Sequence, residues 1–339
     1  MVRPVRVPDV NLQELRTDGF TVLPGFLNDD ELQTAQMSLW EQFPRPEDFF
    51  ADPDSHRDFA CSQFAGLRNF PFVGWDLNRI AFHSDLVDAI ERYLGSTELM
   101  LYKAELWAKY SGAIDYDQAH HRDFGNHSLV VPRADGEGAQ ITSFILLSEV
   151  TDLDGPTKVV RLQDSADVPF VPEVDSKQHS FALPKGSFAD VERPILGPAG
   201  TLFMYRTDVL HRGTNFGAPG RSRFALLTDF TARGRPWLGR IAWPNQAISR
   251  HWVETMERAT VRERDLFGFP KPDDPYWDEQ TLDGVHRRYP EMDMTPYGAD
   301  ARLPISLQNN DDVDTTHRGS SGHRSGSRQR RSGISDRPL

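Results

Sequence analysis

The sequence predicts an α+β fold with a mainly β core, a sandwich or barrel of short strands flanked by helices. Two observations predict it. Between about Leu99 and Phe230, short runs rich in aromatic and β-branched residues alternate with Gly/Pro/Asp breaks, at Asp135-Gly136, Asp154-Gly155-Pro156, Gly197-Pro198 and Gly217–Gly220. Before and after that region the apolar spacing becomes helical, with capping residues at the starts.

The elements follow in order. LQELRTDGFTVLPG, residues 12–25, reads as a short helix, a turn at Asp18-Gly19 and a strand. Asn28 is an N-cap for DDELQTAQMSLWEQF, and Glu31, three residues on, completes a capping box. Ser84 caps a second helix, DLVDAIERYL, which Gly95 closes. Residues 44–75 are rich in Pro, Asp and Phe without a period, so an irregular, surface-covering segment is expected. Strands are expected in ELMLYKAELWAKY, Ser128–Pro132, Gln140–Ser148, Lys158–Leu162, Thr201–Tyr205 and Arg223–Phe230. His251–Asp265 has helical spacing, and a Pro- and aromatic-rich stretch follows it. From Ser306 the chain is polar and rich in Ser, Gly and Arg. Such a segment buries too little apolar surface to offset its ordering entropy, so disorder is expected. The expected division is one domain over 1–305 and a tail over 306–339.

Composition narrows the function classes. The 339 residues are 38% hydrophobic and 11% aromatic, which suffices for a sizeable core. A net charge of −12 argues against nucleic acid as a partner of the body. Six arginines from Arg318 onward give a basic tail, read as solubilising. No run approaches the roughly 18 apolar residues of a membrane span. The N-terminal MVRPVRVPDVNLQEL lacks the apolar region of a secretion signal. Cys61 is the single cysteine, so an internal disulfide and a cysteine-rich zinc or iron–sulfur site are excluded, and a reducing cytoplasm is expected. The expected partner is a small-molecule substrate.

The chemistry concentrates at His121-Arg122-Asp123 and at the distant His211. In an extended chain, side chains i and i+2 point the same way. His121 and Asp123 can therefore reach one metal while Arg122 points elsewhere. Two imidazoles and one carboxylate can occupy one face of an octahedral ion and leave the opposite face open. Both histidines precede polar turn residues, where the mouth of a barrel would lie. The bland alternative is a pair of ordinary loop histidines. A 2-oxoacid cosubstrate also needs a cation for its distal carboxylate, and arginine grips a carboxylate bidentately. Arg223 opens RFALLTDF, twelve residues after His211; Arg221 shares its face by period two and is the rival. For either, the alternative is a surface salt bridge.

These segments resemble the phytanoyl-CoA dioxygenase family of Fe(II)/2-oxoglutarate-dependent oxygenases. LRTDGFTVLPGFLNDDEL is similar to the family's N-terminal helix–strand signature, HHRD to its proximal H-x-D block, and GTLFMYRTDVLHRGTNF to its distal histidine strand. RFALLTDF is similar to the segment that opens with the cosubstrate arginine, and FGFPKPDDPYWDEQTLDGVHRRYPEMDMTPY to a C-terminal extension of some bacterial members. The similarity spans roughly residues 12–300. It implies a double-stranded β-helix, a jelly-roll or cupin-like fold, with iron between two sheets. It implies His121, Asp123 and His211 as the catalytic iron ligands and Arg223 as the cosubstrate anchor. Phe144 stands where a family aromatic flanks the cosubstrate, with core packing as its alternative.

The chain departs from the family in three places. The arginine usually comes one position closer to the distal histidine, which keeps Arg221 open. The small polar residue two places after that histidine is Gly213 here. A P-G-S-H-like turn is replaced by Arg161-Leu162-Gln163-Asp164-Ser165, in a loop that often faces substrate.

Lys109 and Trp107 share one strand face with Lys103 and Glu105, and are candidate substrate contacts or packing residues; Asn126 is a further candidate. The resemblance implies Fe(II), 2-oxoglutarate and O2 as the reactive set. The expected activity is hydroxylation of an aliphatic C–H of a small metabolite, with release of succinate and CO2. Asp123 favours oxygenation, because halogenating relatives lack this carboxylate. Two rivals remain: a His2Asp zinc hydrolase or lyase, and a non-catalytic binding module on the same scaffold. Loops 44–75, 124–139 and 163–192 are expected to set the substrate.

Overall fold

Two antiparallel sheets stand at the centre of the chain. The computed structural model describes residues 5–298 except 71, 74, 98, 113–115, 134, 137–138, 172–181, 233, 236, 238–252, 254–255, 258–260, 262–263 and 265–268. In chain order the strands are β1 (Phe20–Leu23), β2 (Leu67–Asn69), β3 (Leu99–Tyr110), β4 (Ile141–Leu146), β5 (Lys158–Val159), β6 (Arg193–Pro194), β7 (Leu202–Arg206), β8 (His211–Arg212) and β9 (Ser222–Ala232). The larger sheet runs β1-β7-β4-β9-β3-β2 and the smaller β6-β5-β8. This is the mainly β, mixed fold expected from the sequence, with two facing sheets and, among the described residues, no closed barrel. The helices are α1 (Asp9–Thr17), α2 (Asp29–Leu39), α3 (Pro46–Ala51), α4 (Trp75–Ala81), α5 (Ser84–Leu94), α6 (Phe124–His127) and α7 (Glu279–Arg288).

Strand parity decides what each face of the larger sheet does. On β3, Ala104, Leu106, Ala108 and Tyr110 join Leu12, Leu39, Leu77 and Ile90 of the helices in one buried core. Their neighbours Lys103, Glu105, Trp107 and Lys109 line a cavity on the opposite face. On β9, Phe224 and Leu226 point to the helices, while Arg223, Ala225 and Leu227 point to the cavity. The register of β3 against β9 runs without a break from Lys103↔Asp229 to Tyr110↔Ser222 and shifts between Leu101 and Lys103. Tyr102 is the extra residue of that bulge, so Tyr102 and Lys103 both reach the cavity.

The capping box at Asn28 forms as the sequence suggests: Asn28 accepts from Glu31 N at 2.9 Å, and Glu31 accepts from Asn28 N at 3.0 Å. Gly95 ends α5 in a left-handed conformation. The N-cap of α5 is His83 rather than Ser84. The His83 imidazole Nδ1 accepts from Asp85 N at 3.2 Å, and Ser84 is already helical.

Three expectations need correction. Residues 44–75 are not irregular throughout. They contain α3, a 3-10 turn at Pro53–Phe59 and β2, and Trp75 begins α4; Pro46 and Pro53 start their turns at a position that tolerates proline. Lys158–Leu162 is a strand only to Val159, and Leu162 begins a 3-10 turn. Ser128–Pro132 is not a strand. Its buried backbone is satisfied by side chains around α7: Tyr276 Oη bonds Val131 N at 2.9 Å and Val131 O at 2.7 Å, Arg288 donates to Val130 O at 2.9 Å, and Tyr289 donates to Leu129 O at 3.0 Å. An apolar run reads alike in sequence whether a strand or a set of side chains pairs its backbone. The helix expected over 251–265 lies largely outside the described residues, and the tail over 306–339 lies wholly outside them.

Candidate metal centre

His121 and His211 meet as an antiparallel bridge. His121 N donates to His211 O at 2.9 Å, and His211 N donates to His121 O at 3.0 Å. His211 belongs to β8, so His121 is fixed against the smaller sheet. Asp123 lies two residues on, as the N-cap of the short helix α6. Arg122 points away, as the alternation requires. It donates to the carbonyls of Asp208 at 2.8 Å, Pro169 at 2.8 Å and Val168 at 3.2 Å, which ties down the segment behind the site.

The donor atoms converge. His211 Nε2 lies 3.3 Å from Asp123 Oδ2, and His121 Nε2 lies 3.8 Å from Asp123 Oδ1. One ligand atom from each residue falls within 4.8 Å of the others. Donors at about 2.1 Å on adjacent corners of an octahedral ion would lie about 3 Å apart, so small adjustments suffice.

Both rings have a fixed tautomer. His121 Nδ1 faces Ala119 O at 2.9 Å, and His211 Nδ1 faces Val209 O at 3.1 Å. A carbonyl only accepts, so each Nδ1 carries the proton and each neutral ring keeps its Nε2 lone pair for a metal. Burial, with His211 adding to it, lowers His121 to about 4, the direction that keeps this ring neutral. Burial pulls His211 down too, but the Asp123 carboxylate outweighs it and raises the ring. Burial alone would raise Asp123; the imidazoles around it hold its carboxyl well below the usual carboxylate range. The deprotonated carboxylate is the form that ligates. The three residues therefore fit a divalent ion.

Around this centre lies a cavity of about 930 Å³ between the two sheets. Phe144 lines it, half-buried, and stacks on Phe203 and Tyr205 with ring centroids 5.9 and 6.1 Å away, so it both packs and faces the site. Lys109, Trp107 and Asn126 also line it.

The two candidate arginines part company. Arg223 is inside the cavity wall and donates to Gly155 O. Arg221 precedes β9 and holds Asp154 in a two-point ion pair at 2.7 and 2.8 Å. Gly155 has φ +60°, and a Cβ there would come 2.7 Å from Thr214 O, so the turn beside Arg223 requires glycine. Gly213 also has a local reason. Its N donates to Gln118 Oε1 at 2.9 Å, and a Cβ would crowd that oxygen at 3.0 Å.

Sequence reasoning missed Tyr205, whose hydroxyl donates to Asp123 Oδ2 at 2.6 Å. Its signal was its place in GTLFMYRTDVLH: odd positions of β7 face the cavity, as Phe203 does. It also missed the half-buried Tyr102 and the buried Gln140, which meet beside the buried His127. Tyr102 Oη lies 2.9 Å from His127 Nδ1 and accepts from Gln140 Nε2 at 2.9 Å. The bulge that turns Tyr102 inward leaves no trace in the sequence.

No family model matches the sequence, and no curated protein matches it significantly. Partly similar solved structures include the non-heme alpha-ketoglutarate-dependent epimerase SnoN from nogalamycin biosynthesis, with 16% identity and a TM-score of 0.46 over 66% of this chain and 82% of that one. HygX from Streptomyces hygroscopicus, with nickel and 2-oxoglutarate bound, is 16% identical with a TM-score of 0.48 over 67% and 88%. The nickel complex of the non-heme monooxygenase ThoJ is 17% identical with a TM-score of 0.46 over 68% and 79%. Likeness at this level leaves the chemistry to be argued from the site itself. Among the described residues no helix is long and apolar enough to cross a membrane.

Proposed function

We propose that this chain is an Fe(II)- and 2-oxoglutarate-dependent dioxygenase of the phytanoyl-CoA dioxygenase type, which hydroxylates an aliphatic C–H of a small metabolite. One observation carries the reading: a His2Asp donor set opens onto a cavity that also holds the half-buried Arg223. A zinc hydrolase needs no anchor for a 2-oxoacid. Bound iron and 2-oxoglutarate together supply oxidation of the C–H bond by O2, with release of succinate and CO2.

The chain's own residues supply position and environment. His121, Asp123 and His211 would hold the ion, and three protein ligands of this kind would leave positions for the cosubstrate. The carbonyls of Ala119 and Val209 hold both rings, and Tyr205 holds the carboxylate. Arg223 orients the distal carboxylate of the cosubstrate, with Phe144 beside it. Trp107 and Asn126 are the proposed substrate contacts. Leu146, Val150, Ile195 and Leu227 make the wall partly apolar, which keeps bulk water from the reacting face. Asp123 fills the position a halide would need, which favours oxygenation over halogenation. A cytoplasmic setting and a free small molecule as substrate complete the reading.

The test is succinate formation by purified protein with Fe(II), ascorbate, 2-oxoglutarate and a metabolite extract, read beside products heavier by one oxygen atom. Succinate that depends on Fe(II) and vanishes in His211→Ala is expected. Tightly bound zinc with no succinate on any extract would overturn the proposal in favour of a hydrolase or lyase.

A further inference from the structure

The register of the larger sheet lays out the cavity floor row by row. Phe144 of β4 stands beside Leu227 of β9, Glu105 of β3 and Asn69 of the edge strand β2. The next row on one side holds Lys103 and Asp229, and on the other Trp107 and Ala225. The floor is therefore apolar at its centre and polar toward β2.

Glu105 uses only one of its two oxygens, although its side chain is 12% exposed. Trp107 Nε1 donates to Oε2 at 3.1 Å, and the Lys103 ammonium lies 3.2 Å from the same atom. Among the described residues Oε1 has no donor. An acid kept for the fold looks different. Glu192 presents both oxygens to cations, Oε1 to Lys158 and Arg212 and Oε2 to Arg212 again. Asn69 and Asn126 also line the cavity, and among the described residues neither carboxamide has a hydrogen-bond partner. Asn126 belongs to the metal's side, since its N donates to Asp123 O at 3.2 Å. Open polar groups therefore stand both beside the metal and at the sheet edge.

The chemistry of these groups restricts what they can hold. An alkyl chain laid over Glu105 would take water from a carboxylate oxygen and return no donor, which is costly. A ligand cation on Oε1 would sit close beside the Lys103 ammonium, and a ligand anion on Lys103 close beside Glu105; each meets repulsion. A hydroxyl meets neither. It can donate to Oε1 and accept from an amide or from Lys103. Next to the polar row stands an apolar wall. Phe64, 52% exposed, meets the Trp107 ring edge-on with centroids 5.7 Å apart, and both line the cavity. A ring with a rim of hydroxyls and faces of C–H bonds matches both surfaces.

We propose that the substrate is a polyhydroxylated ring, a sugar or cyclitol, whose hydroxyls are read by Glu105, Lys103, Asn69 and Asn126 while a C–H face rests on Trp107 and Phe64. This rests on the oxygenase reading above and names the substrate class of that site. Glu105 is its specificity-determining residue.

The experiment is ligand-observed saturation-transfer NMR on wild type, Glu105→Gln and Asn69→Ala, each loaded with Zn(II) and 2-oxoglutarate so that no turnover occurs. The probes are cyclitols, monosaccharides and disaccharides, set beside medium- and long-chain fatty acids. Wild type is expected to bind members of the first group and none of the second. For the polyol that wild type holds best, Glu105→Gln is expected to weaken binding about tenfold and Asn69→Ala about threefold, as losing a charge-assisted and a neutral hydrogen bond would. Affinity for 2-oxoglutarate is expected to be unchanged. A Glu105 that only braced Trp107 and Lys103 would lower the melting temperature of Glu105→Gln and leave polyol affinity as it was, which overturns the proposal. Wild type that binds no polyol overturns it too. Polyol binding of the expected pattern in a protein that forms no succinate with Fe(II) keeps the subsite and overturns the oxygenase reading. Succinate formation driven by a fatty acid alone does the reverse. Should Glu105→Gln fail to fold, Asn69→Ala on the edge strand carries the comparison.

Discussion

Tyr205 is the residue that fixes the carboxylate ligand. It is buried, and its hydroxyl donates to Asp123 Oδ2 at 2.6 Å. Partners of this kind set ligand orientation, and losing one typically weakens metal binding roughly 10–100-fold. Tyr205→Phe keeps the ring and removes only the donor, so Mn(II) titration is expected to show a loss of that order with the fold intact. An unchanged affinity would mean that the packing of the site alone holds Asp123. Asp229 gives a second prediction at this scale. It is fully buried, accepts from Thr142 Oγ1, and burial lifts it to about 7. In the unfolded chain it titrates at about 3.9. Between those values the folded protein holds a proton the unfolded chain lacks, so stability falls as pH rises through that window. Urea melts at about pH 5 and about pH 8 are expected to show a smaller loss in Asp229→Asn than in wild type; equal losses would show that the carboxyl stays ionised.

Elements carry the site at one remove. The segment that follows Asp123 owes its place to α7. Arg288 donates to Val130 O at 2.9 Å and to Gly125 O, and it is only 3% exposed. Arg288→Met strands those carbonyls, at an expected cost of about 3 kcal/mol. It is also expected to speed amide exchange across residues 124–131; protection equal to wild type would assign that segment's order to its own apolar packing. The capping box of α2 lies on the far side of the larger sheet. Asn28→Ala is expected to cost about 1 kcal/mol in a denaturant melt and to leave metal affinity unchanged. Capping and strand parity are local signals, which is why α2, α5, β3 and β9 were legible in the sequence. The run 128–132 was misread because its partners, Tyr276, Arg288 and Tyr289, lie far along the chain. The helical turns within 44–75 were missed because each is too short to show a period.

At the scale of the whole molecule, two sheets enclose a cavity with one polar end and one metal-binding edge. The spacing of His121 and Asp123 announced their common direction; only the fold shows that His211 bonds His121 through the backbone. The two arginines could not be told apart by period two, since Arg221 lies before the strand begins and turns to Asp154. Asp154 is equally remote in sequence, so no local pattern reveals the pairing. The central claim is that one metal and one 2-oxo dicarboxylic acid occupy this cavity together. The most direct measurement is an anaerobic titration of the Fe(II)-loaded protein with 2-oxoglutarate, following the visible charge-transfer absorption that appears only when the oxoacid chelates the iron. A band that saturates at one equivalent in wild type, is absent in His211→Ala and needs far more 2-oxoglutarate in Arg223→Met is the expected result. Fe(II)-loaded wild type that shows no band at any concentration of 2-oxoglutarate would contradict it.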